Sequence, residues 1–161
     1  MIIELACNPL IPLDYEVYAR ELRRYLEEWA DLYDPSQEKS KKLNSLLMDM
    51  EKKASVLTPY LAGEKELGGH ISEENIQKAN RFLIRIERDF TDPEGIPKRK
   101  WYKHLVFGAR FTYDDLLFPA LTEAAEEGNM EGVKQSLLLL ENSVIKATSK
   151  LGQIADALNI R

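Results

Sequence analysis

The sequence predicts an all-α fold: an up-down bundle of four long helices with one long ordered loop and a short extra helix. Three observations carry that expectation. Apolar residues recur at steps of three and four in four separate segments, capping residues stand where those segments begin, and no β pattern runs beyond a few residues. A chain of 161 residues fits a single domain able to bury about 70% of its unfolded surface.

The first helix is expected over 14–33, where Tyr15, Tyr18, Leu22, Tyr25, Trp29 and Leu32 form an apolar stripe behind a capping Asp14. Asp34-Pro35-Ser36-Gln37 reads as the next start, with a capping Asp, Pro at the first helical position and Gln three residues after the cap. The helix over 36–60 then carries Leu43, Leu47, Met50, Ala54, Leu57 and Leu61. Gly63, Gly68 and Gly69 mark a loop. Ser72 opens a helix over 72–90, with Glu73 and Glu74 favoured by the helix dipole and Ile76, Ala79, Leu83, Ile86 and Phe90 facing inward. Residues 91 to about 112 form a loop long enough to be functional or packed, within which Leu105-Val106-Phe107 is the best β candidate. Pro119 starts a short helix that ends near Gly128.

Asn129 caps the last helix, expected over 130–158. Val133, Leu137, Leu140, Val144, Ala147, Leu151, Ile154 and Leu158 alternate steps of four and three through nearly four heptads. Leu138, Leu139, Ile145 and Ala155 widen that stripe, which suits a bundle better than a two-stranded coil. The eight heptad residues are bundle core or the seam of a dimer.

Charge is graded along the chain. Residues 1–35 hold 3 basic against 8 acidic side chains, 36–66 hold 6 against 5, 67–111 hold 9 against 6, and 112–161 hold 4 against 8. A basic middle between acidic ends lets the domain match its own charges, and the formal net charge of −5 does not call for nucleic acid. Lys78, Arg81, Arg85 and Arg88 form a basic helical stripe, expected to be solvated or internally paired. Cys7 is the single cysteine and is expected to be a small buried apolar residue. His70, His104 and Cys7 show no metal-ligand spacing, so the sequence assigns no metal, no cofactor and no catalytic residue. His104 is expected to be structural, hydrogen-bonded under the long loop, and Trp101 and Tyr102 to anchor that loop to the core.

One stretch is more specific than periodicity. Arg88-x-Phe90-x-Asp92-x-x-Gly95-Ile96-Pro97-x-Arg99-x-Trp101-Tyr102-Lys103-His104, followed by Phe107, Tyr113 and Phe118-Pro119, resembles the C-terminal helical domain of the glutamate carboxypeptidase II and transferrin receptor family. Leu5 to Tyr15 are similar to that family's junction between its zinc peptidase-like domain and the helical domain. The resemblance implies that residues 1–13 are the tail of a peptidase-like domain and junction, and that 14–161 are a helical dimerisation domain. It further implies a homodimer that buttresses an upstream peptidase-like domain, with no direct membrane contact of its own. The parent would be anchored in a membrane with this domain outside the cytosol. In the family a Lys-Tyr pair grips a substrate's terminal glutamate. Here Tyr113 holds the Tyr position and Thr112 the Lys position, so Tyr113 is the implied substrate-pocket contact of the intact parent. Two readings follow: a non-catalytic assembly domain, or a part that completes the pocket of an active carboxypeptidase. An independent helical adaptor is the third.

Overall fold

A computed structural model describes residues 8–69, 71–111 and 114–160. Its helices are α1 (Tyr15–Tyr33), α2 (Lys41–Leu61), α3 (Glu73–Ile86), α4 (Pro119–Glu126) and α5 (Met130–Ala157), and β1 (Phe107–Phe111) pairs antiparallel with β2 (Asp114–Leu117). This is the mostly helical bundle that the four stripes predict. The three side-chain caps form as expected: Asp14 accepts from the Val17 N–H at 2.9 Å, Ser72 from Asn75 at 3.2 Å and Asn129 from Gly132 at 3.0 Å.

α5 is the axis of the packing. It lies against α2, α3, α4 and the 3₁₀ turn Glu87–Phe90, while α1 packs on α2. All eight heptad residues of α5, from Val133 to Leu158, are buried within the single chain. Within the single chain the stripe packs into the bundle. The α2 stripe, Leu43 to Leu61, is buried as predicted. Tyr15 ties α1 to α3 by donating to the Leu83 carbonyl at 2.6 Å, and Tyr18 packs edge-on against Phe90 with ring centres 5.5 Å apart.

Several expectations need correction. α2 starts at Lys41 rather than at residue 36. Asp34 ends α1, and its buried carboxylate accepts from the Lys39 and Ser40 N–H groups at 3.0 and 2.9 Å and from the Ser40 hydroxyl at 2.9 Å. Gln37 sits at φ 55°, in the left-handed region, so a helix cannot run through it. On α1 the inward face is Tyr15, Ala19, Leu22, Leu26, Trp29 and Ala30, which leaves Leu32 on the opposite side and 73% exposed. On α5, Leu138, Leu139 and Ile145 do not widen the core; they face outward. α3 ends at Ile86 and tightens into the 3₁₀ turn before Phe90.

The hairpin is also a correction, because the sequence placed a loop as far as residue 112. Phe107 pairs with Leu117 and Gly108 with Leu116, and an irregularity between Ala109 and Phe111 breaks the alternation a strand would show in sequence. Of the expected β residues, Phe107 opens β1, while Leu105 and Val106 are buried just before it. Leu10, in the junction segment, is 1% exposed. Asn80 clamps the chain there, accepting from the Ile11 N–H at 2.9 Å and donating to the Pro9 carbonyl at 2.8 Å. Ile2, Ile3, Leu5 and Cys7 lie outside the described residues, as does His70.

Two outcomes follow. Leu140→Asp should abolish cooperative folding, since a lone buried charge costs several kcal/mol against a total stability of about 5–15 kcal/mol; thermal melting by circular dichroism checks it. At Asp34, burial alone would raise the carboxyl pKa, but the Ser40 hydrogen bonds and the Lys39 charge hold it below the ordinary range. A lowered folded pKa gives stability that is present above the unfolded value near 3.9 and lost as pH falls through the folded one. Asp34→Asn should therefore cost about 1–3 kcal/mol at neutral pH, and the gap to wild type should narrow in melts below about pH 4.

Candidate functional site

The Arg88–His104 motif folds into a compact knot between α3 and β1. Phe90 is its buried anchor, and its carbonyl accepts from the Leu105 N–H at 2.8 Å. Asp92 donates its N–H to the Lys103 carbonyl at 2.8 Å and turns the chain by accepting from the Glu94 N–H at 2.9 Å. Gly95 has φ 75°, and a Cβ there would stand 2.1 Å from the Lys100 carbonyl oxygen. Glycine is thus required both by conformation and by space. Ile96 is buried beside it, Pro97 is exposed, and Arg99 reaches across to pair with Glu123 on α4. Lys98 pairs with Glu127 in the same way. Arg88 is exposed, and its carbonyl accepts from the Thr91 hydroxyl at 2.8 Å.

His104 is hydrogen-bonded within the loop. The Val106 and Phe107 N–H groups point at Nδ1 at 3.2 and 3.1 Å, which makes that nitrogen the acceptor and assigns the proton to Nε2, 3.0 Å from Glu87. Tyr102 anchors the loop by donating to the Phe107 carbonyl. Trp101 does not: it is 77% exposed, stacked edge-on to Tyr102. Phe118 is buried in a left-handed conformation, φ 47°, and Pro119 starts α4 directly after it. This abrupt reversal swings the chain from the hairpin onto α5. Tyr113 and Thr112 lie outside the described residues.

Glu87 and Asp89 form an acidic pair beside the α1 tyrosines. Burial, followed by the charges of Glu87 and Asp89, pushes the Tyr15 hydroxyl up to about 12, and burial with Glu87 pushes Tyr18 higher still. Both phenols therefore stay protonated at neutral pH. Asp89 is paired with Lys150 of α5 at 2.5 Å. Among the described residues no three His, Cys, Asp or Glu side chains are placed to hold a metal ion. No helix is long and apolar enough to cross a membrane. Lys78, Arg81, Arg85 and Arg88 are all exposed and form no ion pair among the described residues, so the basic stripe is solvated rather than internally paired.

The described residues leave several large apolar side chains on the surface. Leu32, Met130, Leu138, Ile145 and Trp101 stand exposed around a bundle whose core is already filled. Sequence reasoning placed Leu32, Leu138 and Ile145 in the stripes because steps of three and four also reach them. Only the packing of α2 and α5 shows which face is spare.

Comparison with known proteins agrees with this architecture. The profile of the transferrin receptor-like dimerisation domain matches residues 41–152. The chain belongs to that family. It is 30% identical over 157 residues to a probable glutamate carboxypeptidase of Arabidopsis thaliana, covering 92% of this chain and 22% of that protein. A second Arabidopsis thaliana probable glutamate carboxypeptidase is 30% identical over 138 residues, covering 83% and 19%. An inactive zinc metalloprotease of Schizosaccharomyces pombe is 25% identical over 173 residues, covering 94% and 20%. The chain thus spans about a fifth of the length of these curated relatives.

Two glycines separate the causes of strain in this region. Gly95→Ala adds a backbone clash to a left-handed conformation, whereas a Cβ at Gly128, with φ 67°, meets nothing within 4 Å. Gly128→Ala should cost about 1–2 kcal/mol, a melting shift of a few degrees. The Gly95→Ala shift should be clearly larger, as differential scanning calorimetry of the two variants would show.

Proposed function

We propose that the chain is a non-catalytic helical assembly domain, which pairs with a second copy and buttresses a peptidase-like domain of a glutamate carboxypeptidase-like protein. The carrying observation is the division of apolar side chains on α5. Eight heptad residues are consumed by the chain's own core, while Met130, Leu138 and Ile145 stay on the surface. Exposed apolar patches mark contact surfaces, and closed two-fold dimers are the commonest assemblies. The family to which the chain belongs is named for dimerisation, which supports self-association at that coarse level.

Residues 14–161 form the assembly domain in this reading, and 1–13 belong to the junction with the peptidase-like domain. The clamp of Asn80 on residues 9–11 supports a junction held firmly against the bundle. Exposed Trp101 and Phe107 beside the hairpin suit contact with that upstream domain. The reading needs no metal, cofactor, nucleic acid or direct membrane contact.

A second reading draws on the names of the plant relatives, both probable glutamate carboxypeptidases. In it Tyr113 completes the substrate pocket of an active parent enzyme. The fission yeast relative, named as an inactive metalloprotease, favours the non-catalytic reading.

Analytical ultracentrifugation of the 161-residue chain at micromolar and hundred-micromolar concentration tests the proposal. A species of twice 18.5 kDa that grows with concentration is expected, and the same material should not hydrolyse an acidic dipeptide with or without added zinc. A strict 18.5 kDa monomer throughout, or zinc-dependent hydrolysis, would overturn it.

A further inference from the structure

The N-terminal ends of α2 and α5 enclose a cavity of about 470 Å³, walled by Met130, Leu137 and Leu138 and rimmed by Lys39, Lys42 and Lys134. Met130 and Leu138 are 53% and 52% exposed, so the apolar wall is open to solvent. Lys42 is held over it by an ion pair with the buried Glu141, at 2.5 Å. Lys39 lies 3.8 Å from Asp34, and Lys134 has no ion-pair partner among the described residues. The opening is therefore apolar inside and cationic at its edge. Its natural occupant is an aliphatic side chain flanked by carboxylates.

The same chain presents such a group. Leu32, in the last turn of α1, is the most exposed aliphatic residue of the bundle at 73%. Asp31 is its neighbour in sequence, and Glu28, paired with Arg24 at 2.5 Å, lies one helical turn before it; both are exposed. The last turn of α1 carries no basic residue of its own. Lysines from outside would complement the carboxylates, Asp31 above all, which forms no ion pair among the described residues.

Knob and cavity sit at one end of the bundle. The turn Asp34–Ser40 leads directly from α1 to Lys41 at the start of α2. Tyr33 reaches Glu126 at the end of α4 at 3.2 Å, four residues before Met130. A closed two-fold dimer needs one patch holding both halves of the contact. This end of the bundle supplies it.

We propose that Leu32 of one copy seats in the α2–α5 cavity of a second copy, with Glu28 and Asp31 against the lysine rim, and that the reciprocal contact closes the dimer. This rests on the self-association proposed above and names its surface. Leu32→Arg and Leu138→Arg alter residues exposed in the single chain, so each should leave the melting temperature in place at concentrations low enough for the wild type to be monomeric. Each should weaken dimerisation by about tenfold or more, as expected for truncating a central anchor. Asp31→Lys and Lys134→Glu should each weaken it as well, and the pair together should recover most of the loss, the signature of a direct cross-copy interaction.

Sedimentation of the six proteins separates the possible failures. A wild-type dimer that survives Leu32→Arg unchanged has another interface, which overturns this proposal and leaves self-association standing. Loss in both charge reversals without recovery in the pair also overturns the proposed pairing. A wild-type chain that remains monomeric overturns this proposal and the self-association beneath it.

Discussion

Burial of one face of α5 is the constraint on which the rest of the structure depends. A helix of 28 residues is about 42 Å long, enough to run the length of a small domain. Its apolar face is the surface that α2, α3 and α4 share. No helix of that length would be stable in water from propensity alone; its stability comes from tertiary packing. The remaining helices are likewise too amphipathic to stand alone. α2, α3 and α4 are therefore fixed by where they meet α5, while α1 is carried by α2.

The Arg88–His104 knot is the least regular of those deliveries and the most tightly specified. A chain leaving α3 at Ile86 must turn, reverse and enter a hairpin within about twenty residues. It does so with backbone bonds from Asp92, Ile96 and Leu105, two left-handed residues at Gly95 and Lys98, and a histidine that accepts from two consecutive N–H groups. Arg99 and Lys98 then lock the knot to α4 through Glu123 and Glu127. Of the residue types that look functional in sequence, His104 and Tyr102 bond to the loop's own backbone, and Arg99 pairs with the Glu123 carboxylate.

The α2 and α5 stripes were legible in the sequence because both helices bury a single narrow face, so periodicity and burial coincide. α1 was less legible. Of its predicted stripe Tyr15, Leu22 and Trp29 face the core, but Ala19, Leu26 and Ala30 complete that face, Tyr18 and Tyr25 lie at its margin and Leu32 is outside it. The hairpin escaped notice because its irregular register removes the two-residue alternation by which strands are recognised. Asp34-Pro35 carried a correct signal in the wrong place: the aspartate does capture backbone N–H groups at a helix start, but five and six residues downstream. The contact surface was not legible at all, since periodicity reports which residues are apolar and not which of them find a neighbour.

α1 is held differently from the rest. It touches α5 little, resting on α2 and reaching α3 through the Tyr15 hydroxyl and the ring of Tyr18. Its face with α2 is nonetheless the most extensive helix–helix contact of the bundle, and it buries six residues of α1. α1 is therefore held by its neighbour and not by the axis, and its docking depends on α2 staying in place. Because Leu32 travels with it, any assembly that engages that residue would be coupled to the docked form of α1. Stability would then rise with protein concentration, and the outermost helix would set how long a pair of subunits stays together.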